Sequence, residues 1–241
     1  MAQRKIQFIN GEIYHIVIRA IKELNLFQDK KDYLRMIHDL FEFNDINPAS
    51  SRFRVISHRN KINVTRKDLV MFVENKRKKR KMLVEILAFC LMPNHVHLLV
   101  KQLQEGGISK LMQKLGGYGL YYNKKYKRKG HLFQDKFQAV HIRNNEQLKT
   151  VFVYIHTNPT AIIYPKWKEK GIKNTNRVIK YIESYRWSSY SDYLEKKNFP
   201  SLTNREFLLK VMGGTKGCHL FVNAWLKFKR KLADFDYVVI E

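Results

Sequence analysis

At 241 residues, 44% hydrophobic and 13% aromatic, the chain can bury a full core, which excludes intrinsic disorder as its default state. Its 46 Lys and Arg against 21 Asp and Glu give a formal charge of +25, a field that attracts polyanions and makes nucleic acid the expected partner. No apolar run approaches bilayer length and the opening residues carry no signal-peptide core. The expectation is a cytoplasmic, nucleoid-associated protein with no membrane partner.

The run Glu12 to Arg19 is β-branched and aromatic and follows Gly11, which predicts a strand buried on both faces. Tyr33, Met36, Ile37, Leu40 and Phe41 then recur with helical spacing. Residues from about 45 to 82 read as a basic insertion, with a possible strand around Phe53 to Ile56 and the block Lys76, Arg77, Lys78, Lys79, Arg80 and Lys81. That block is either a solvated face or a track for a phosphate backbone.

Leu83 to Leu91 and His95 to Val100 predict two strands joined by a tight turn at Pro93 and Asn94. Ile108 to Tyr126 reads as helical, interrupted by Gly116, Gly117 and Gly119. A strand over Phe137 to Arg143 follows, then a helix from about Asn145 to Asn158 halted by Pro159, burying Leu148, Val151, Phe152 and Ile155. The order strand, helix, strand, strand, helix, strand, helix fits an α+β, ferredoxin-like antiparallel sheet with helices on one face. We expect a catalytic domain over residues 1–160 and a mostly helical, basic C-terminal extension over 161–241.

Alternation along a strand puts His95 and His97 on one face with Val96 on the other, and two neighbouring imidazoles form half of a divalent metal site. Taken alone, the pair equally suits two partly buried structural histidines. On the later helix Gln147, Tyr154 and Asn158 share one flank, so a phenol and a carboxamide one turn apart can face a common point. A core aromatic and a helix-end asparagine are the alternative reading. Cys90 and Cys218 form no Cys-x-x-Cys pair, which argues against a thiolate zinc site.

Three stretches carry a resemblance: Leu91-Met92-Pro93-Asn94-His95-Val96-His97-Leu98-Leu99, Gly130-His131-Leu132-Phe133-Gln134-Asp135-Lys136-Phe137, and Tyr154-Ile155-His156-Thr157-Asn158-Pro159. With Tyr14 to Arg19 and Trp187-Ser188-Ser189-Tyr190, they resemble the REP-associated tyrosine transposases, insertion-sequence-200-like members of the HUH nuclease superfamily. The resemblance extends over most of residues 8 to 195.

It implies a ferredoxin-like transposase domain in which His95 and His97 bind Mg²⁺ or Mn²⁺, Asn158 is the third ligand and Tyr154 is the nucleophile. Relatives place Gln where this chain has the shorter Asn158. The implied substrate is single-stranded DNA with a hairpin-forming repeat, cut and rejoined through a 5′-phosphotyrosine by a monomer or homodimer. Arg128, Lys129, Lys136, Arg143 and the block Lys76, Arg77, Lys78 and Lys79 are candidate DNA contacts, with Tyr118 or Tyr122 as stacking groups. Tyr122 is also a minor alternative nucleophile. A non-catalytic nucleic-acid binder and a nuclease using water are the competing readings.

Overall fold

A computed structural model describes residues 7–48 and 80–228. Lys76, Arg77, Lys78 and Lys79 and the strand expected around Phe53 to Ile56 lie outside the described residues.

Strand β1 (Ile13–Arg19) leads to helix α1 (Lys30–Glu42), then to the hairpin of β2 (Val84–Met92) and β3 (His95–Gln102). Helices α2 (Gly107–Leu115) and α3 (Gly117–Lys125) meet at Gly116, so the glycine-interrupted segment is two helices. Gly107 opens α2 because a Cβ there would fall 2.3 Å from the carbonyl oxygen of Leu83. Strand β4 (Gln138–Ile142) and helix α4 (Asn145–Thr157) follow. The sheet order is β2-β3-β1-β4 with every pair antiparallel, which is the ferredoxin-like arrangement expected.

Alternation gives the sheet two buried faces. Tyr14, Ile16 and Ile18 of β1 with Val96, Leu98 and Val100 of β3 pack against Met36 and Leu40 of α1, Leu111 of α2 and Tyr118 of α3. On the opposite face Ala88, Cys90, Met92 and Leu99 meet Val151, Phe152 and Ile155 of α4. Helices therefore cover both faces, α1 to α3 on one and α4 on the other, a correction to the expected single covered face that follows from the strands being apolar on both sides.

Beyond α4 the chain stays helical, as α5 (Thr160–Ile163), α6 (Trp167–Lys170), α7 (Thr175–Ser184), α8 (Tyr190–Tyr193), α9 (Glu206–Met212) and α10 (Gly214–Phe228). Ile182, Leu208, Met212, Val222 and Trp225 share a core with Phe152 of α4. The segment Trp187 to Ser189 runs along β2: Leu91 N–H donates to Trp187 O at 2.8 Å and Ser189 N–H to Phe89 O at 3.0 Å. The hydroxyls of Tyr185 and Tyr193 donate to Leu91 O and Leu87 O, at 2.7 and 2.6 Å. These bonds satisfy backbone groups that a bare sheet edge would leave open.

Helix α1 starts at Asp29, whose carboxylate accepts from Asp32 N–H in a capping box. The Asp32 carboxylate is fully buried and accepts from Lys125 Nζ and the Tyr126 hydroxyl at 2.6 Å, and from the Tyr121 hydroxyl at 2.9 Å. Burial alone would raise its pKa, but the hydrogen bonds from Lys125, Tyr126, Gln28 N–H and Tyr121 outweigh burial and hold it below the usual aspartate value. With a depressed native pKa, this group stabilises the fold above about pH 4 and loses that contribution as pH falls through the native value. Asp32→Asn is expected to cost about 2 kcal/mol at neutral pH and less in acid, read as the urea midpoint at each pH.

Candidate active site

The site forms on the α4 side of the sheet. His95 and His97 open β3, and their partners across the antiparallel ladder are Arg19 and Val17 of β1. His15, diagonal to His97, projects from the same face. Tyr154 comes down from α4, and its ring centroid lies 5.5 Å from that of His97 and 5.9 Å from that of His15. The two ring centroids of His95 and His97 are 4.7 Å apart. Within a single chain the imidazole pair and the phenol thus converge.

Hydrogen bonds orient both histidines. His95 Nδ1 lies 2.7 Å from Asn94 Oδ1, an acceptor only, so Nδ1 carries the proton and Nε2 the lone pair. His97 Nδ1 lies 3.0 Å from His15 Nε2. With the proton on His97 Nδ1, its Nε2 is likewise a free donor to a cation, and this buried Nε2 has no hydrogen-bond partner among the described residues. Burial, with Arg19 and Lys168 adding to it, lowers the His95 pKa to about 4. Burial first, then the neighbouring His95 and His15, pushes His97 well below its ordinary value. Both imidazoles are therefore neutral at pH 7, the form that binds metals.

Asn158 caps the C-terminal end of α4 one turn beyond Tyr154. Burial raises the Tyr154 pKa, while the Asn158 hydrogen bond and the Arg19 charge pull it down less strongly. No group of three or more His, Cys, Asp or Glu side chains placed to hold an ion occurs among the described residues. The two imidazoles are the donors brought together; the Asn158 carboxamide, whose Nδ2 donates to Tyr154 O at 3.5 Å, is the third candidate. Those three groups suit a divalent ion that takes nitrogen and oxygen ligands.

The remaining candidates are placed elsewhere. Gln147 sits at the start of α4, where its Oε1 accepts from Arg143 N–H at 2.8 Å, two helical turns from Tyr154. Arg128 braces its own loop, donating to Asn123 Oδ1, Gly130 O and His131 O at 3.0, 3.2 and 2.7 Å. Lys129, Lys136 and Arg143 are exposed. Tyr118 and Tyr122 do not fit the stacking role. Both are buried on the far side of the sheet, with their hydroxyls donating to Leu26 O and Asn25 O, so no base can reach their rings.

A family model described as "Transposase IS200 like" matches residues 54–158, a stretch that holds His95, His97, Tyr154 and Asn158. Over that stretch the chain is similar to the IS200-like transposases. No curated protein matches this chain in sequence. Among solved structures it is similar to a REP-associated tyrosine transposase bound to a REP hairpin, at 14% identity and a TM-score of 0.45, over 86% of this chain and 93% of that one.

Sequence reasoning missed three residues beside the candidate site: His15, Arg19 and Lys168. The first two belong to β1, whose register against β3 no local pattern reveals. A histidine and an arginine in an otherwise apolar strand were the available signal. Lys168, on α6, has its Nζ 5.1 Å from the Tyr154 ring centroid. One lysine in so basic a chain offers no signal of its own. No described helix is long and apolar enough to cross a membrane.

Proposed function

We propose that the protein is a metal-dependent single-strand DNA transposase in which Tyr154 is the nucleophile and His95, His97 and Asn158 hold a divalent cation. The observation that carries this reading is the meeting of the β3 imidazole pair and the α4 phenol, with His97 and Tyr154 ring centroids 5.5 Å apart. A bound Mg²⁺ or Mn²⁺ would supply Lewis-acid polarisation of a phosphodiester. Tyr154 would form a bond from its phenol oxygen to phosphorus as the bond from phosphorus to the 3′ oxygen breaks. The phenol proton is lost and the departing 3′ oxygen gains one. The product is a 5′-phosphotyrosine that keeps the energy needed for rejoining.

His15 Nε2 lies 3.0 Å from His97 Nδ1, and when His97 Nδ1 donates in that bond its Nε2 keeps the lone pair for the cation. His15→Leu is expected to weaken Mn²⁺ binding by about ten- to a hundredfold, measured by titration calorimetry, with His95 and His97 intact. Unchanged affinity would reduce His15 to a packing residue.

The net charge of +25 supports a nucleic-acid substrate, and the motif resemblance supports a hairpin-forming single strand. The exposed Lys129, Lys136 and Arg143 remain candidate backbone contacts, and a nucleoid-associated monomer or homodimer fits this reading. Incubating the protein with end-labelled hairpin DNA and Mg²⁺, then denaturing, tests the proposal. A labelled covalent species on the protein supports it, cleavage without that species supports a nuclease using water, and no cleavage leaves a DNA binder.

A further inference from the structure

His156, on α4, stands two residues from both Tyr154 and Asn158, and two helical steps turn it about 200° from the phenol, onto the other side of the helix. Its imidazole is fully buried beside the rings of Phe152, Tyr190 and Tyr193, at centroid separations of 4.3, 5.3 and 5.7 Å. Among these apolar neighbours its Nε2 lies 2.8 Å from Ser189 Oγ. The same oxygen accepts from Phe89 N–H of β2 at 3.0 Å, and Ser189 N–H donates to Phe89 O at 3.0 Å. Cys90, the residue after Phe89, is bridged to Ser188 on one side and paired with His97 on the other. One polar link thus runs from the helix that carries the phenol, through the C-terminal segment, to the strand beside the imidazole pair.

A hydrocarbon side chain would fill the place of His156 without burying ring nitrogens that need partners. Imidazole and hydroxyl are both fully buried, so neither meets a substrate. We propose that His156 and Ser189 are positioning residues, which fix the roll and depth of α4 and so set the approach of the Tyr154 oxygen to a phosphodiester at the His95 and His97 pair. The proposal rests on Tyr154 being the nucleophile. The apolar contacts of Val151, Phe152 and Ile155 hold α4 on the sheet but are non-directional. A hydrogen bond has a set length and direction, and any roll of α4 that breaks the His156 bond also displaces Tyr154 and Asn158. In-line attack tolerates little such displacement, since about 1 Å of misplacement can cost roughly a hundredfold in rate. The strip from Trp187 to Ser189 is then a spacer between nucleophile and ligand strand.

Adduct formation on end-labelled hairpin DNA is followed in a single turnover at saturating Mn²⁺ and DNA, at a temperature where urea titration shows every variant folded. Ser189→Ala and His156→Leu are each expected to slow the rate constant about ten- to a hundredfold, with DNA affinity in EDTA unchanged. The double variant should be no slower than the slower single one, because both cut the same link. His156→Gln, whose side-chain amide keeps a polar atom near the place of Nε2, should recover most of the rate. Tyr185→Phe is the structural control. It also removes a buried bond between the C-terminal segment and β2, from the Tyr185 hydroxyl to Leu91 O, and should lower the urea midpoint while leaving the rate unchanged. An unchanged rate in Ser189→Ala and His156→Leu, or an equal fall in Tyr185→Phe, would overturn the positioning role. Absence of adduct in the wild type is a different result, which removes the nucleophile assignment and this role with it.

Discussion

Tyr154→Phe protein is expected to bind single-stranded DNA normally and to form no covalent adduct at any time or metal concentration. The substitution removes one oxygen and keeps the ring that packs beside His97 and His15, with Lys168 5.1 Å from its centroid. The stability change should stay within about 1 kcal/mol, because the lost hydroxyl interacts with the half-exposed Asn158. Loss of adduct in a folded, DNA-binding protein therefore isolates the chemistry. Tyr122→Phe is the matched control. Its hydroxyl bonds Asn25 O and Gln28 Nε2 on the far side of the sheet, so it should lower stability by about 1 kcal/mol and leave adduct formation intact. An adduct that survives Tyr154→Phe and vanishes with Tyr122→Phe would reverse the assignment.

The second large effect is expected from His95→Ala. His95 is the more exposed of the two imidazoles, and His97 lies fully buried against His15, so the His95 variant tests ligation with the smaller packing loss. Adduct formation should fall roughly a thousandfold, since a Lewis acid contributes several kcal/mol to such a transfer. Mn²⁺ affinity should fall with it. Binding of single-stranded DNA in EDTA should not change, and that separates lost ligation from lost folding. A variant that keeps both Mn²⁺ affinity and cleavage would remove His95 from the ligand set.

The core of this site was readable in the sequence because its parts obey short-range rules. His95 and His97 share a face through the two-residue period of a strand, and Tyr154 and Asn158 share a flank through one helical turn. The element order also led to an antiparallel α+β sheet, whose strand order is β2-β3-β1-β4. What stayed hidden depends on long-range register. His15 meets His97 across 82 residues of chain, and Lys168, next to the buried Trp167, reaches the Tyr154 ring from a separate helix.

The same wheel that paired Tyr154 with Asn158 also admitted Gln147. Angular position ignores distance along the axis, and Gln147 serves the other end of the helix. Composition alone offers Tyr118 and Tyr122 to bases. The contacts of α3 with α1 bury them instead.

The joining of α4 to the helices after it has a practical outcome for anyone wishing to trim this protein. Val151 and Phe152 share one core with the sheet and with Ile182, Met212 and Val222, so a protein ending at Pro159 would present a naked oily stripe to water. It would also forfeit the strip from Trp187 to Ser189 that seals β2, leaving an open seam for strangers to zip onto. A minimal version should therefore run at least through Leu226, and shorter pieces should precipitate before they can be assayed.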